Sequence, residues 1–493
     1  MHKPLLALLV AGLAPLTAER VTEELLVRLR TPLTTLAKPG ERFVAVVTGC
    51  THADCTVVLP PGSTIHGFVD QVKPVGFGVR RERASMALTF DGCHMPDGSE
   101  VACRSELLKL DNARETVTKG NRIHGILAAN HPHSYLGGLW VRPTSALFGR
   151  SLSGLTGAGR MIYSGIAPHP AVAGAIVVTR LAVFRLPEPE IQLPAGVELI
   201  LRVTAEAPDA SAAEPLPRPP DSLGVLLNGL PVRITMPNGA LAADIINTAF
   251  LGSETDVTHA FLGAGWSTAD PLNGRTYMRS YQAFTSMKPY PTAPVSPLRY
   301  EGRLPDLVFQ KSFNCMAKRH HIRLWRVESP DGPLWVGAAT HDVGIFFDWK
   351  RMVLTHRIDP EIDRERDRVL ADLSYAGCVA GAARVERPAL AIESAKIATD
   401  GALHVIDAQA CRQPLAEVAV PMKRVSVGKS ILRRTILESR HYLFRGNGYY
   451  WAFRGLRSRS ARSLFTKSIS VVAGRPPVLA LRSGGAGRDR TDE

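Results

Sequence analysis

The 493-residue sequence lacks the short signatures that mark many enzymes. It has no CxxC pair, which argues against a zinc ribbon. No GxSxG turn is present to expose a nucleophilic serine, and Ser374, Cys315 and Cys378 stand in no activating motif, so they read as ordinary loop or core residues. Neither a Walker A loop nor a GxGxxG turn is there to cradle phosphates, and no HExxH is there to hold a metal. The longest apolar candidate for a membrane span, Ala171 to Leu186, is interrupted by Arg180 and Arg185. These absences leave a folded chain without a declared chemistry.

What is present begins with composition. A 45% hydrophobic content is enough to bury real cores, and the length admits more than one domain. The formal charge of +14 would attract an anionic partner. Much of that excess, however, lies between Lys423 and Arg490, where RRTILESR, RGLRSRSARS and GRDR crowd together, so a basic extension accounts for it without a basic groove. Lys3, the run Leu5 to Leu13 and Leu16-Thr17-Ala18 before Glu19 have the order of an export signal. Nucleic acid is therefore not an expected partner, whereas an envelope component or anionic lipid is. The seven cysteines are an odd number, which leaves at least one thiol unpaired; the spacings of Cys50 with Cys55 and of Cys93 with Cys103 suit hairpin disulfides.

Along the chain, Val21 to Leu29 fits helix or strand by pattern. Arg42 to Val47, Thr56 to Leu59, Thr64 to Val72 and Ala84 to Phe90 are short strand-like runs punctuated by Pro60-Pro61-Gly62, Gly76-Phe77-Gly78 and Pro96-Asp97-Gly98. Such spacing predicts a small antiparallel barrel or sandwich. The order TPL, ERFVAVV, VLPPGSTIHGFVDQV, ALTFD and PDG resembles the β-rich modules of TrbI-like envelope proteins, which implies envelope localisation and no catalytic residue. A loop-rich connector is expected over 112–170, where His131 and His133 flank Pro132 in a run read as solvated, followed by strands over 171–205. Residues 206–222, rich in Pro, Ala and acids, read as the linker between domains.

The most concentrated chemistry lies between Lys318 and Asp367, where KRHHIRLWRV, PLWVGAATHD, VLTHRID and PEIDRERD follow in close order. As a strand, His320 to Val327 puts His321, Arg323 and Trp325 on one face and His320, Ile322, Leu324 and Arg326 on the other. Leu334 to Thr340 and Val353 to Ile358 supply neighbouring strands. Asp359 and Pro360 then suit the N-cap and first position of a helix whose buried stripe is Ile362, Val369, Leu370 and Leu373. Upstream, Ser253 reads as the cap of a helix ending near Gly265, and Pro271 to Lys288 holds another helix.

The order FLGS, AGW, YPTAPVSPL, FQK, RHHIRLW, WVGAATHD, THRIDPEIDRERD and ADL, from Asn247 to Leu373, resembles the LssY C-terminal domain family. That resemblance implies an α+β domain, in some members attached to a PAP2-type lipid phosphatase, and it brings no catalytic residues. No PAP2 signature is present in this chain.

Three chemistries fit the polar cluster. An anion site would use Arg319, His321, Arg323 and His356. A divalent metal site would draw on His321 and His356 with Asp342, Asp359 or Asp363. An internal network would add Trp325, Trp335, Arg366 and Asp367 and hold helix to sheet. The expected architecture is α+β, an N-terminal all-β barrel or sandwich over 19–111 after a signal peptide at 1–18, then a C-terminal α+β sandwich over 223–420 and a basic extension over 421–493. The expected function is that of an exported protein, periplasmic or membrane-associated, with a binding or assembly role and no cofactor. The alternative is a metal- or phosphate-dependent hydrolase of an envelope lipid or other anionic substrate, with His321, Arg323, His356 and Asp363 at its centre.

Overall fold

The computed structural model describes residues 20–52, 59–128, 188–206, 215–236, 242–285, 287–313, 317–330, 332–348, 353–409, 411 and 421–440. The expected signal at 1–18, Cys55, most of the strand at Thr56–Leu59, His131 and His133, the run Ala171–Leu186 and the tail beyond Arg440 lie outside them.

The first unit is built from β1 (Arg20–Leu29), β2 (Leu33–Thr34), β3 (Arg42–Cys50), β4 (Thr64–Lys73), β5 (Arg83–His94) and β6 (Glu100–Val101). It continues through β7 (Cys103–Leu110), β8 (Thr116–Thr118), β9 (Arg122–Leu127), β10 (Gln192–Leu193) and β11 (Glu198–Glu206). Its main antiparallel sheet runs β7-β11-β1-β3-β4-β5-β9-β8, with β6 beside β5. β7 and β8, at the two ends of that order, lie near each other, so the sheet nearly closes into a barrel. The ambiguous Val21–Leu29 run is strand because it is paired on both edges, with β11 and with β3. Leu25, Val27, Leu29, Phe43, Ala45 and Val47 alternate inward and fill the barrel core, as period-two patterning requires. The Cys93–Cys103 disulfide joins β5 to β7, and Cys50 is also disulfide-bonded. Two strands, β8 and β9, fall within the stretch expected as connector.

The second unit opens with α1 (Asp221–Asn228), β12 (Arg233–Thr235), β13 (Ala242–Ile245), β14 (Thr248–Leu251) and α2 (Glu254–Gly263). β15 (Ser267–Thr268), α3 (Gly274–Thr285), β16 (Leu307–Lys311), β17 (Arg319–Val327), β18 (Leu334–Asp348), β19 (Val353–Ile358) and α4 (Ile362–Tyr375) follow. β20 (Val379–Val385), β21 (Ile392–Glu393), β22 (Ala398–Thr399) and β23 (Leu403–Ala408) complete it. Its sheet runs β15-β16-β17-β18-β14-β23-β20, with β19 beside β18 and a single parallel pair, β14 with β23. The fold class is α+β, as expected.

Both faces of this sheet are covered. Phe250, Phe261, Phe309, Ile322, Leu324 and Val369 pack beneath α2 and α4, while Leu223, Leu227, Trp325, Val336 and Leu403 pack on the α1 side. Ser253 caps α2 with a full capping box, its hydroxyl accepting from the Asp256 amide while Asp256 accepts from the Ser253 amide. The N-cap of α4 is Glu361, not Asp359. The Asp359 carboxylate instead accepts from the Glu361 amide at 3.1 Å, a local turn that delays the helix start. Cys378, read as an ordinary loop or core residue, is disulfide-bonded to Cys411, 33 residues on, tying the end of α4 to the segment after β23.

Helix α4 is the hinge of the architecture because it is covered twice, by β18 and β23 of its own sheet and by β3 of the barrel. A Cβ placed on Gly49 of β3 would stand 2.9 Å from Ala371 Cβ, so only glycine lets the helix lie this close. A further helix, α5 (Val427–Arg440), lies in the basic stretch and returns to the barrel: Leu437 enters its core, and buried Arg433 pairs with Glu188 and Glu190.

Candidate polar sites on the two faces of the second sheet

Antiparallel register decides what the histidines of β17 and β18 meet. Arg319 lies opposite Asp342, His321 opposite Thr340 and Arg323 opposite Ala338, all toward the α1 side, whereas His320 faces His341 on the α4 side.

On the α1 side Asp342 is the hub. Its Oδ2 accepts from Arg319 Nε at 3.1 Å and lies 3.1 Å from His356 Nδ1 and 3.6 Å from His321 Nδ1. Nη1 of Arg319 lies within hydrogen-bond reach of the Ala293 and Pro294 carbonyls and Gln310 Oε1. Arg323 donates to Asp244 Oδ2 at 2.7 Å and to the Ser296 carbonyl. His321 Nε2 pairs with Thr340 Oγ1 at 2.8 Å. Burial keeps the His321 imidazole well below its ordinary pKa, outweighing Asp342, and Arg323 and Arg319 add to the depression. His356 is lowered for the same first reason. Burial opposes the charge on Asp342, yet its imidazole neighbours and Arg319 hold it down at about 2. With both imidazoles neutral near pH 7, Arg319 is the permanent cation hydrogen-bonded to Asp342.

The other expected site residues are dispersed. Asp359 lies on the α4 side, 3.9 Å from His341 Nδ1. Asp363 accepts from Arg366, Thr399 and the Asp400 amide in a separate network, where Arg366 also pairs with Asp367 and Asp400. Trp325 and Trp335 are buried in apolar cores on opposite faces, their indole N–H groups donating to the Arg303 and Gly252 carbonyls.

The α4 side holds a second cluster that spans both units. His320 is clamped by two carboxylates, Nδ1 to Glu365 Oε2 at 2.7 Å and Nε2 to Asp111 Oδ2 at 3.1 Å, and its ring stacks on His341 at 4.2 Å. His341 Nε2 pairs with Asn112 Oδ1 at 2.8 Å. Arg368 donates to Asp111 at 2.6 Å and also pairs with Glu198. Glu198 and Asp372 share Arg28 and Lys311 at 2.7 to 3.1 Å, and Trp266 Nε1 donates to Asp372. All the charged members are buried.

Burial alone would keep His320 neutral, but Glu365 and Asp111 lift it to about 10, so it is an imidazolium at neutral pH. Burial raises Glu365 to about 7, partly offset by His320. Burial and the adjacent His320 charge push His341 down to about 3. Two touching imidazoles thus divide their roles, one charged and one neutral.

The barrel members of this cluster, Arg28, Asp111, Asn112 and Glu198, were not expected from the sequence, and neither were Lys311, Glu365, Arg368 and Asp372. A signal existed for some of them. His320 alternates with Ile322 and Leu324, which is a buried position for an ionisable ring and demands partners. Arg368 and Asp372 sit one position before Val369 and Leu373, beside the apolar stripe. What no spacing could supply is the partner, since Asp111 precedes His320 by 209 positions.

Between the units lies a polar cleft of about 610 Å³, where carboxylates such as Glu24, Glu361 and Asp400 alternate with Arg202, Arg364 and Arg384. A smaller cavity of about 60 Å³ reaches His320, His341 and Asp111. No described helix is long and apolar enough to cross a membrane.

Residues 229–403 match the model of the family described as the LssY C-terminus, which contains the Asn247–Leu373 stretch singled out above. Among solved structures, one match is ComB10 of the Com type IV secretion system of Helicobacter pylori, with 12% identity over 38% of this chain and 87% of that chain and a TM-score of 0.18. No curated protein matches.

Proposed function

We propose that this chain is an exported cell-envelope protein with a binding or assembly role, in which the barrel and the LssY-type unit act as one body. The observation that carries this reading is the use of the conspicuous polar groups on one another. Nε and Nη1 of both Arg319 and Arg323 donate to Asp342, Asp244, Gln310 and carbonyls of this chain, so these atoms serve the protein's own acceptors. Disulfides at Cys93–Cys103 and Cys378–Cys411 favour an oxidising compartment, in keeping with the apolar N-terminal run. The interdomain cleft offers a place for a polar envelope ligand, an anionic lipid headgroup included.

Fractionation of bacteria producing the full chain tests this. The protein should leave with the periplasmic or membrane fraction, with Cys93, Cys103, Cys378 and Cys411 resisting alkylation until reduced. A cytoplasmic protein whose cysteines alkylate freely would overturn it.

A second reading, metal- or phosphate-dependent hydrolysis, draws on one observation: His321 Nδ1 and His356 Nδ1 are buried, make no hydrogen bond and lie close to Asp342. Asp363, however, belongs to the Arg366 network. Release of phosphate from phosphomonoesters or phosphatidic acid that disappears in His356→Ala would favour this reading over the first.

A further inference from the structure

The stacked pair His320 and His341 meets Asp111 and Asn112 where β7 ends against the second sheet, and no step of the proposed function uses this set. The three ligating groups of Asp111, His320 and His341 are buried and lie within 4.8 Å of one another. His320 Nε2 is 3.1 Å from Asp111 Oδ2, and His341 Nε2 is 3.6 Å from Asp111 Oδ1 and 2.8 Å from Asn112 Oδ1. Four donors around a cation at about 2.0 Å stand about 3.3 Å apart in a tetrahedral shell, which is the range of these separations.

We propose that Asp111, His320 and His341, with Asn112 as a neutral oxygen, form a site for one divalent transition-metal cation that bridges the barrel to the LssY-type unit. Two imidazole nitrogens with carboxylate and amide oxygens are a donor set that zinc, iron(II) or cobalt(II) accepts.

The surroundings are those of a built site. Glu365 holds His320 through Nδ1 at 2.7 Å, and Asp359 stands 3.9 Å behind Nδ1 of His341, so each ring has a carboxylate on the nitrogen away from the cation. Arg368 fixes Asp111 at 2.6 Å. The small cavity beside the rings, lined also by Glu24, Glu361 and Arg364, gives an entry path and room for water on the open coordination positions. Without the cation, the hydrogens on the two Nε2 atoms occupy its place, bonded to Asp111 and Asn112. Binding is an exchange: the His320 imidazolium releases its Nε2 proton to solvent and keeps Nδ1–H on Glu365, neutral His341 changes tautomer so that its one proton moves from Nε2 to Nδ1 on the Asp359 side, each Nε2 lone pair passes to the metal, and no oxidant or reductant is needed.

This site is distinct from His321, His356 and Asp342, which lie on the other face of the same sheet. The test uses the full chain, stripped with EDTA and reloaded with ZnCl2 or CoCl2, with metal counted by mass spectrometry and the cobalt d–d absorbance recorded. The expected result is about one ion per chain, and at least about 10-fold weaker binding in His341→Gln, a variant that keeps a donor for Asn112. His356→Gln should bind like the parent protein. If His341→Gln fails to fold, X-ray absorption of zinc-loaded His356→Gln decides instead: two imidazoles with oxygens support the site, one imidazole or none overturns it. No retained ion, unchanged binding in His341→Gln, or loss in His356→Gln would equally overturn the proposal.

Discussion

Each face of β17 buries a histidine to a different end: His321 toward α1 stands between Arg319 and Arg323, and His320 toward α4 shares its face with Ile322 and Leu324. Toward α1, Arg319, His321 and Arg323 meet partners supplied by the second unit itself: Asp342, Thr340 and Asp244. Toward α4, His320 reaches Glu365 of its own unit and Asp111 of the barrel, and the charges around it join the two units. Chemical type is shared, but what covers each face is not. Burial, helped by Arg323 and Arg319, outweighs Asp342 and holds His321 neutral, whereas His320, hydrogen-bonded to two carboxylates, stays charged.

The largest expected effect breaks the α4 side. Asp372→Ala strips a shared carboxylate from Arg28 and Lys311 and leaves them buried without it, at a cost of about 3–5 kcal/mol. Urea unfolding should register the loss and show the barrel and second unit separating into two transitions. A loss no larger than that of an α1-side variant would erase the contrast.

Removing the disulfide below α4 with Cys378→Ser and Cys411→Ser should cost about 3–4 kcal/mol, given the 33-residue loop it closes. Because that loop lies wholly within the second unit, the same substitutions added to Asp372→Ala, where the two transitions are separate, should move the second unit's transition while the barrel's holds. Asp342→Asn, on the α1 side, removes the charge facing Arg319 but keeps a hydrogen-bonding group there, so about 1–3 kcal/mol is expected, with the two units still unfolding together.

The smallest effect is a pH slope. His404, on β23, is pushed down to about 3 by burial and by Arg366 and Arg384. Its folded pKa lies below the unfolded value of about 6.5, so its contribution is complete above about 6.5 and fades as pH falls toward 3. The slope in that window is at most about 1.4 kcal/mol per pH unit. Melting of His404→Leu between pH 4 and 7 should show a shallower acid limb than the parent protein. An unchanged limb would mean that His404 does not titrate in the window that separates it from His320.

Much of the second unit was legible because its signals are local. Period-two alternation in HHIRLWRV placed His320 and His321 on opposite faces, and a hydroxyl three residues before Asp256 marked the α2 cap. The residues His321, His356, Asp342 and Arg319 come together because three neighbouring strands carry them. Local signals were misleading where a helix is covered on two sides. Of the expected α4 stripe, Ile362, Val369 and Leu373 are buried and Leu370 half-buried, but Glu365, Arg366, Arg368 and Asp372 are buried as well, because a barrel and a sheet cover the helix at once. A pattern rule that assigns charge to water cannot anticipate that.

By itself the sequence determined the strand-rich α+β class and the polar cluster within a family-like stretch, and its spacing admitted the short-range Cys93–Cys103 pairing, since each depends on residues close in the chain. The tertiary structure alone decided that Asp111, Glu198 and Arg28 stand against His320, Arg368 and Asp372, and that Cys378 finds Cys411. The pairings between the units follow from how a nearly closed barrel and a mixed sheet enclose one helix, and the disulfide from the start of β20 lying beside the end of β23; chain separation carries no record of which faces will be pressed together.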